Sequence, residues 1–492
     1  MNLTLLILVP FLTGVVILLM PNVLQVKRAA LIGSALQLVS ALILLFAFRN
    51  ERAGGNEAQM LFELQYNWFP AWHINFHIGV DGISVAMIML TSFVVMAGVL
   101  VSWNITKMTK EFYFLLILLS FGAYGFFISL DLFILFFFLE IAVIPKYLLI
   151  GIWGSGKKEY AANKLALMLM GGSALVLVGL LGVYFAERGN TFDLLTLSQA
   201  HISLPVQKIC FPLLFIGFGV FTALFPFHTW VPDGHSSAPT AGSMFLAGIS
   251  MKLGSYGCLR VATYIMPEGA KEYATIIIAL STIAILYGSF ATMMQKDLKY
   301  INAYSSVSHC GFILLGIGML TKTAITGAVM QMVSHGLMTA LFFAVIGMIY
   351  ERTHTRQVNE MGGLLKVMPF IITVLFISGL CSLGLPGLSG FVAEMTILVG
   401  SWQHPGLFHR IATIAACMSI VVTAVYILRA IGNTAMGPIQ ESYNHLSDAK
   451  WNEKLAAVIL IAGIIAIGVA PFWLNDLITP AAEVIMKKVA GQ

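Results

Sequence analysis

Charge is what this 492-residue sequence has least of. Asp, Glu, Lys and Arg make up 10% of it, against about 25% in a soluble domain, and 59% of its residues are hydrophobic. So few charges cannot cover the surface of so long a chain, and lipid must be its solvent. Arrangements that carry redox or hydrolytic chemistry are missing too. No GxGxxG follows a strand pattern, and there is no phosphate loop or nucleophile elbow, so any electron transfer belongs to other chains. The five cysteines (Cys210, Cys258, Cys310, Cys381 and Cys417) fall singly in apolar runs. Without CxxC or Cys/His spacing they indicate neither a disulfide framework nor a metal or iron–sulfur site. The net charge of +5 is spread over short loops, and no basic patch is dense enough for a nucleic-acid partner. The apolar N-terminus has no basic residue before it, and Pro21 and Asn22 follow in place of a small-residue cleavage site. It reads as a retained first span rather than a signal peptide.

What is present is a succession of membrane-length segments. A spanning helix needs about 20 mostly apolar residues. Fourteen such segments lie roughly at 2–20, 29–48, 78–103, 111–129, 131–150, 164–186, 207–226, 240–264, 273–294, 301–320, 324–350, 369–402, 409–432 and 455–476. The longest hydrophilic stretches, 49–77 and 433–453, read as loops, which leaves residues 1–492 as one membrane domain. Lys and Arg concentrate on the cytoplasmic side of membrane proteins. With the N-terminus outside, the inner loops collect fifteen basic residues, Lys164, Lys299 and Arg356 among them. The outer loops collect ten, including Arg188 and Arg260, so both termini are expected outside. Two segments should not be straight: 221–243 carries Pro226, Pro232 and Pro239, and 369–402 is interrupted by Gly384-Leu-Pro-Gly-Leu-Ser-Gly390. Lipid cannot satisfy the backbone groups such breaks free, so both should be buried in protein or line a hydrated cavity. Their separation by about 160 residues hints at an internal repeat of the kind found in transporters.

Ionisable residues inside spans are the strongest chemical signal, because each costs at least about 2.5–3.5 kcal/mol at the bilayer centre. Glu140 and Lys252 lie at mid-span, and Glu394 follows the glycine–proline break by about one turn. His309 and His335 occupy adjacent spans, while His228 ends Phe225-Pro-Phe-His nearer an interface. Burial brings lysine and carboxylate groups in general toward neutral titration, where histidine already is, so such a set suits a proton relay. A structural ion pair is a weaker reading of Glu140 and Lys252, since buried pairs are a poor source of stability. Asp131, Asp233, His235 and Asp297 read as interfacial caps or loop anchors.

The same residues carry a family resemblance. The run Phe225-Pro-Phe-His-Thr-Trp-Val-Pro-Asp-Gly-His-Ser-Ser-Ala-Pro-Thr-Ala-Gly242 resembles the signature of the antiporter-like, proton-conducting subunits of respiratory NADH–quinone oxidoreductase, complex I. Asp297-Leu-Lys-Tyr-Ile-Asn-Ala-Tyr-Ser-Ser-Val-Ser-His-Cys-Gly311 is similar to the family's tenth-helix motif, and Gly384 to Glu394 to its broken twelfth helix. Tyr350-Glu-Arg-Thr-His-Thr-Arg356, the following Gly362-Gly-Leu364 and a glutamate at 394 point to one branch of that family. The likeness runs from about Gly79 to the last span. It implies an all-α fold of about fourteen transmembrane helices: helices 1–3 at about 2–103, inverted five-helix repeats at about 111–264 and 273–432, and a last helix at about 455–476. Helices 7 and 12 would be broken. By motif position Glu140 is the fifth-helix glutamate, Lys252 the central lysine and Glu394 the twelfth-helix glutamate, with His309 and His335 linking them.

One departure stands out. Phe221 occupies the place of the family's seventh-helix lysine, five residues before the Pro-Phe-His, while Lys146 follows Pro145 where an apolar residue is usual. Either the glutamate–lysine pair is broken here, or Lys146 supplies its cation; the alternative for Lys146 is an anchor reaching the inner interface. The function implied is proton translocation in the membrane arm, coupled to electron transfer elsewhere through the Glu/Lys/His relay. A subunit of an Mrp-type sodium/proton antiporter or a hydrogenase-type membrane arm is the rival, and a passive scaffold bundle another. The resemblance implies no cofactor on this chain, with NADH, FMN, iron–sulfur clusters and quinone in partner subunits. Its expected partners are the other membrane subunits, including sister antiporter-like chains, together with lipid and protons. Its expected location is the bacterial inner membrane.

Overall fold

The computed structural model describes residues 2–186 and 191–491; Arg188, counted above with the outer basic residues, lies outside the described residues. Helices α1 (Thr4–Leu19), α2 (Val23–Ala53), α3 (Gly82–Val101) and α4 (Thr109–Ile128) open the chain. The fifth crossing is two pieces, α5 (Leu132–Ile141) and α6 (Val143–Trp153), a division that fits Pro145, whose ring crowds the carbonyl four residues back. Then come α7 (Lys158–Ala186), the short α8 (Leu194–Gln199), α9 (Leu204–Thr222) and α10 (Trp230–Ser237). In the eighth crossing α11 (Thr240–Phe245) and α12 (Met251–Gly257) alternate with π-helical turns at Leu246–Ser250 and Cys258–Thr263. The second half runs α13 (Pro267–Met293), α14 (Leu298–Gly318), α15 (Lys322–Thr353), α16 (Pro369–Leu383), α17 (Ser389–Trp402), α18 (Leu407–Ala435), α19 (Trp451–Val469) and α20 (Phe472–Ala490). Among the described residues ten of these spans are long and apolar enough to cross a membrane as they stand. The short α1, the π-interrupted eighth crossing, the polar α14 and the split α16–α17 make up the rest of the fourteen.

Two features go beyond the sequence reading. Residues within 49–77, read as a loop, include an antiparallel hairpin of β1 (Leu61–Phe69) and β2 (Ile74–Val80), so the span expected from 78 begins as a strand. The last span ends at Val469 rather than near 476, and after Pro471 the chain turns into α20. This helix packs across the start of α3, where a Cβ on Gly82 would collide with the Leu477 carbonyl, and pairs with α15 through Glu483 and Lys322.

The chain alternates between two ends of the bundle, and hydrogen bonds identify each end. Lys27 donates to Trp103 O, Lys107 to Ile152 O, Lys110 to Leu18 O and Arg356 to Ser236 O, all at the lysine-rich end. The hairpin, α8 and α20 occupy the other end, together with both termini. The two halves repeat in inverted sense. Asp131 caps α5 and Asp297 caps α14, each accepting bonds from the amides two and three residues on. Each is flanked by backbone pairing to a later loop, Leu132 N to Phe192 O in one half and Leu298 N to Arg356 O in the other, at opposite ends. The breaks correspond as well: α9 stops on left-handed Ala223 (φ 76°) and α16 on left-handed Gly384 (φ 78°), with a proline two or three residues later. At the second break Gly390 passes so close to the Cys381 carbonyl that no side chain fits.

Candidate functional site

Lys252 sits between the two π turns, completely buried. Extra residues of this kind inside a helix are frequent at functional sites. Its ammonium donates to Ala247 O in the first π turn at 2.5 Å and shares a 2.6 Å hydrogen bond with Nδ1 of His335 on α15. Nε2 of His335 has no protein partner. The next ring, His309 on α14, lies 5.4 Å away between centroids, a gap that one water spans. His309 Nδ1 meets Glu394 Oε1 on α17 at 2.9 Å, and its Nε2 meets Ser382 Oγ at 3.0 Å. Gln331 donates to Glu394 Oε1 at 3.3 Å. Four expected residues on four helices thus form one buried line, Lys252–His335–His309–Glu394. It runs across the bundle because the break after α16 brings the start of α17, and with it Glu394, to mid-depth.

Glu140 and Lys146 form a second group. Glu140 ends α5 and accepts a bond from Ser173 of α7. Lys146 lies beyond the break in the fifth crossing and is 1% exposed. Its ammonium points inward, 5.8 Å from the centre of the Phe221 ring, and has no hydrogen-bond partner. This overturns the interfacial-anchor alternative: the side chain turns into the protein, against the position where the relatives' lysine was expected. No ion pair joins Lys146 to Glu140 among the described residues, although Glu140 lies within Coulombic reach. Six helical residues and a kink hold them apart. The two groups approach each other where α12 lies against α9, with Ser255 Oγ 3.4 Å from Thr222 Oγ1.

The residues set aside as caps divide. Asp131 and Asp297 are caps, and Asp297 also pairs with Arg356 at 3.1 Å. Asp233 pairs with Lys164 at 2.7 Å. His228 is buried, stacked on Phe225 and Tyr287 rather than interfacial. His235 is not interfacial either, being fully buried with both ring nitrogens unpartnered. Lys299 and Arg260, counted with loop residues, are buried too. Lys299 donates to Ala238 O at 2.7 Å, and Arg260, in the second π turn, is paired with Asp81. Each stands within a turn or two of a span end, where hydropathy does not separate loop from interior. Ser173 and Gln331 left no signal, since uncharged polar residues barely disturb an apolar run.

Outside the spans, His77 of β2 bonds Asp193 at 2.6 Å and faces Glu63 at 3.4 Å. Burial lowers its pKa, but the two carboxylates outweigh that and hold it above the ordinary histidine value.

The family described as NADH:quinone oxidoreductase/Mrp antiporter matches residues 129–419. A relative named NADH-quinone oxidoreductase subunit M, from Rickettsia conorii, is 35% identical over 467 residues, covering 94% of this chain and 92% of its own length. Among solved structures, a chain of respiratory complex I from Thermus thermophilus superposes with a TM-score of 0.90 at 25% identity over 99% of both chains. A chain of the Mrp complex from Dietzia shares the fold at 0.86, with 19% identity over 99% of this chain and 98% of its own. Motifs, fold and relatives agree, and the chain belongs to the NADH:quinone oxidoreductase/Mrp antiporter family of membrane subunits.

Proposed function

We propose that this chain is a proton-translocating membrane-arm subunit of an NADH:quinone oxidoreductase, driven by electron transfer in other subunits. The observation that carries it is the unbroken buried line from Lys252 through His335 and His309 to Glu394. Ionisable groups at this depth are too costly to be kept for packing. The line supports proton movement along the membrane plane, from a half-channel in repeat one (about 111–264) to one in repeat two (about 273–432). In this reading Lys252 receives the proton, His335 and His309 pass it, and Glu394 delivers it. Glu140 and Lys146 act as the charged pair that biases Lys252 from the α9 side.

NADH, FMN, iron–sulfur clusters and quinone belong to partner subunits in this reading, and sister antiporter-like chains adjoin it in the membrane. The lysine-rich end faces the cytoplasm of a bacterial inner membrane, with both termini on the outer side. Lys252→Met tests the relay. In the reconstituted complex, proton pumping and coupled quinone reduction are expected to collapse, while electron transfer from NADH to a soluble acceptor survives. Normal pumping by this variant would defeat the assignment.

A further inference from the structure

We propose that His235 passes protons between the lysine-rich face and Lys252, a role that rests on the relay reading above. Its imidazole is clamped face-on by Phe343 of α15, centroids 5.5 Å apart and planes within 7°, with Trp230 against it at 6.0 Å. The ring is fully buried, yet neither nitrogen has a protein partner. Buried polar groups nearly always find one, and an exception calls for a reason such as ordered water. A histidine kept for packing would bond at least one nitrogen to a neighbour. Here the aromatic clamp covers the faces and leaves the two polar edges free, which suits a group that meets water on both sides.

Both sides have something to connect. On one lies a cavity of about 550 Å³ at the lysine-rich end, lined by Asp233, Ser236 and Ser237 of the same short helix and by Tyr300 and Arg356. On the other lies Lys252, within Coulombic reach of His235, as is Lys299. Phe343, Thr339 and His335 follow one another on a single face of α15, a rise of about 12 Å, so the clamp stands two turns from the Lys252–His335 bond. Protons reaching Lys252 from the cavity therefore pass the His235 ring. One ring nitrogen takes up a proton from cavity water, the other releases its own toward Lys252, and rotation about Cβ–Cγ restores the starting tautomer.

Two variants in the assembled, reconstituted complex test this. His235→Gln keeps size and hydrogen bonding but cannot relay, and pumping is expected to fall by about ten-fold or more. Subunit copurification and NADH oxidation by a soluble acceptor should be unchanged. His235→Ala opens a slot between Phe343 and Trp230, and imidazole added to the medium is expected to restore pumping several-fold in this variant and not in His235→Gln. Wild-type pumping by His235→Gln overturns the proposal, as does an assembled His235→Ala complex that imidazole does not rescue. Lys252→Met, run beside them, separates the failures. If it is inactive while His235→Gln pumps normally, only the role of His235 is lost; if it also pumps normally, the relay reading fails.

Discussion

Replacing Lys146 by methionine should make the protein more stable and less active. The ammonium is buried without a hydrogen-bond acceptor and rests only near the Phe221 ring. An unsatisfied buried donor costs about 1–3 kcal/mol, and more when charged. Methionine has nearly the same length and volume and carries no donor, so that cost is removed without opening a cavity. The buried cysteines report the gain. Cys258 lies in the second π turn and is inaccessible, whereas Cys417 is exposed and serves as the internal control. A thiol reagent reaches Cys258 only when the chain opens, and its rate follows the population of the open form. A gain of that size therefore slows labelling roughly five- to a hundred-fold. Proton pumping by the assembled complex should fall in the same variant. Adding Phe221→Lys, which places an ammonium in the same space from α9, should restore part of it. Faster Cys258 labelling or wild-type pumping in Lys146→Met would show that the lysine is a structural anchor and refute the reasoning.

Three further outcomes are expected. Arg352 donates to both carboxylate oxygens of the buried Glu453, at 3.1 and 2.7 Å, and to Ser447 O and Asp448 O. Arg352→Ala should cost about 3–5 kcal/mol and be seen as faster tryptic cleavage at Lys450; an unchanged rate counts against it. His77, held above its ordinary pKa, stabilises the hairpin fully below the ordinary histidine value, and that contribution is lost as pH rises through the higher folded value. Protease cleavage between β1 and β2 should quicken from about pH 6 to about pH 9, and His77→Gln should remove the difference. Single cysteines placed in residues 433–453 should be shielded from an impermeant thiol reagent added to intact cells, and ready labelling there would reverse the proposed orientation.

Much of the site could be read from the chain because the signal was energetic. A charge inside an apolar run is conspicuous, which singled out Glu140, Lys252 and Glu394, and the proline and glycine runs marked the breaks in crossings 7 and 12. The hairpin was less visible. Leu61–Phe69 and Ile74–Val80 are rich in aromatic and β-branched residues around Pro70-Ala-Trp-His73, but a scan for membrane-length runs passes over strands this short. His235 escaped because a histidine close to Asp233, Pro232 and Pro239 looks like part of a polar loop. Its burial depends on α15 bringing Phe343 against it.

By itself the sequence determined the solvent, the number of crossings and their alternation, since these follow from hydropathy, segment length and chain connectivity. It also determined where the helices must break, because proline and glycine act on the local backbone. The tertiary structure decided which polar groups meet. Lys252, His335, His309 and Glu394 are up to 142 residues apart (394 minus 252) and belong to four helices, so only the packing of those helices sets their order and spacing. It decided as well that Lys146 faces Phe221 and not the interface. A kink at Ala142 and Pro145 rotates the second half of that helix relative to the first, and the side on which a lysine emerges depends on that rotation.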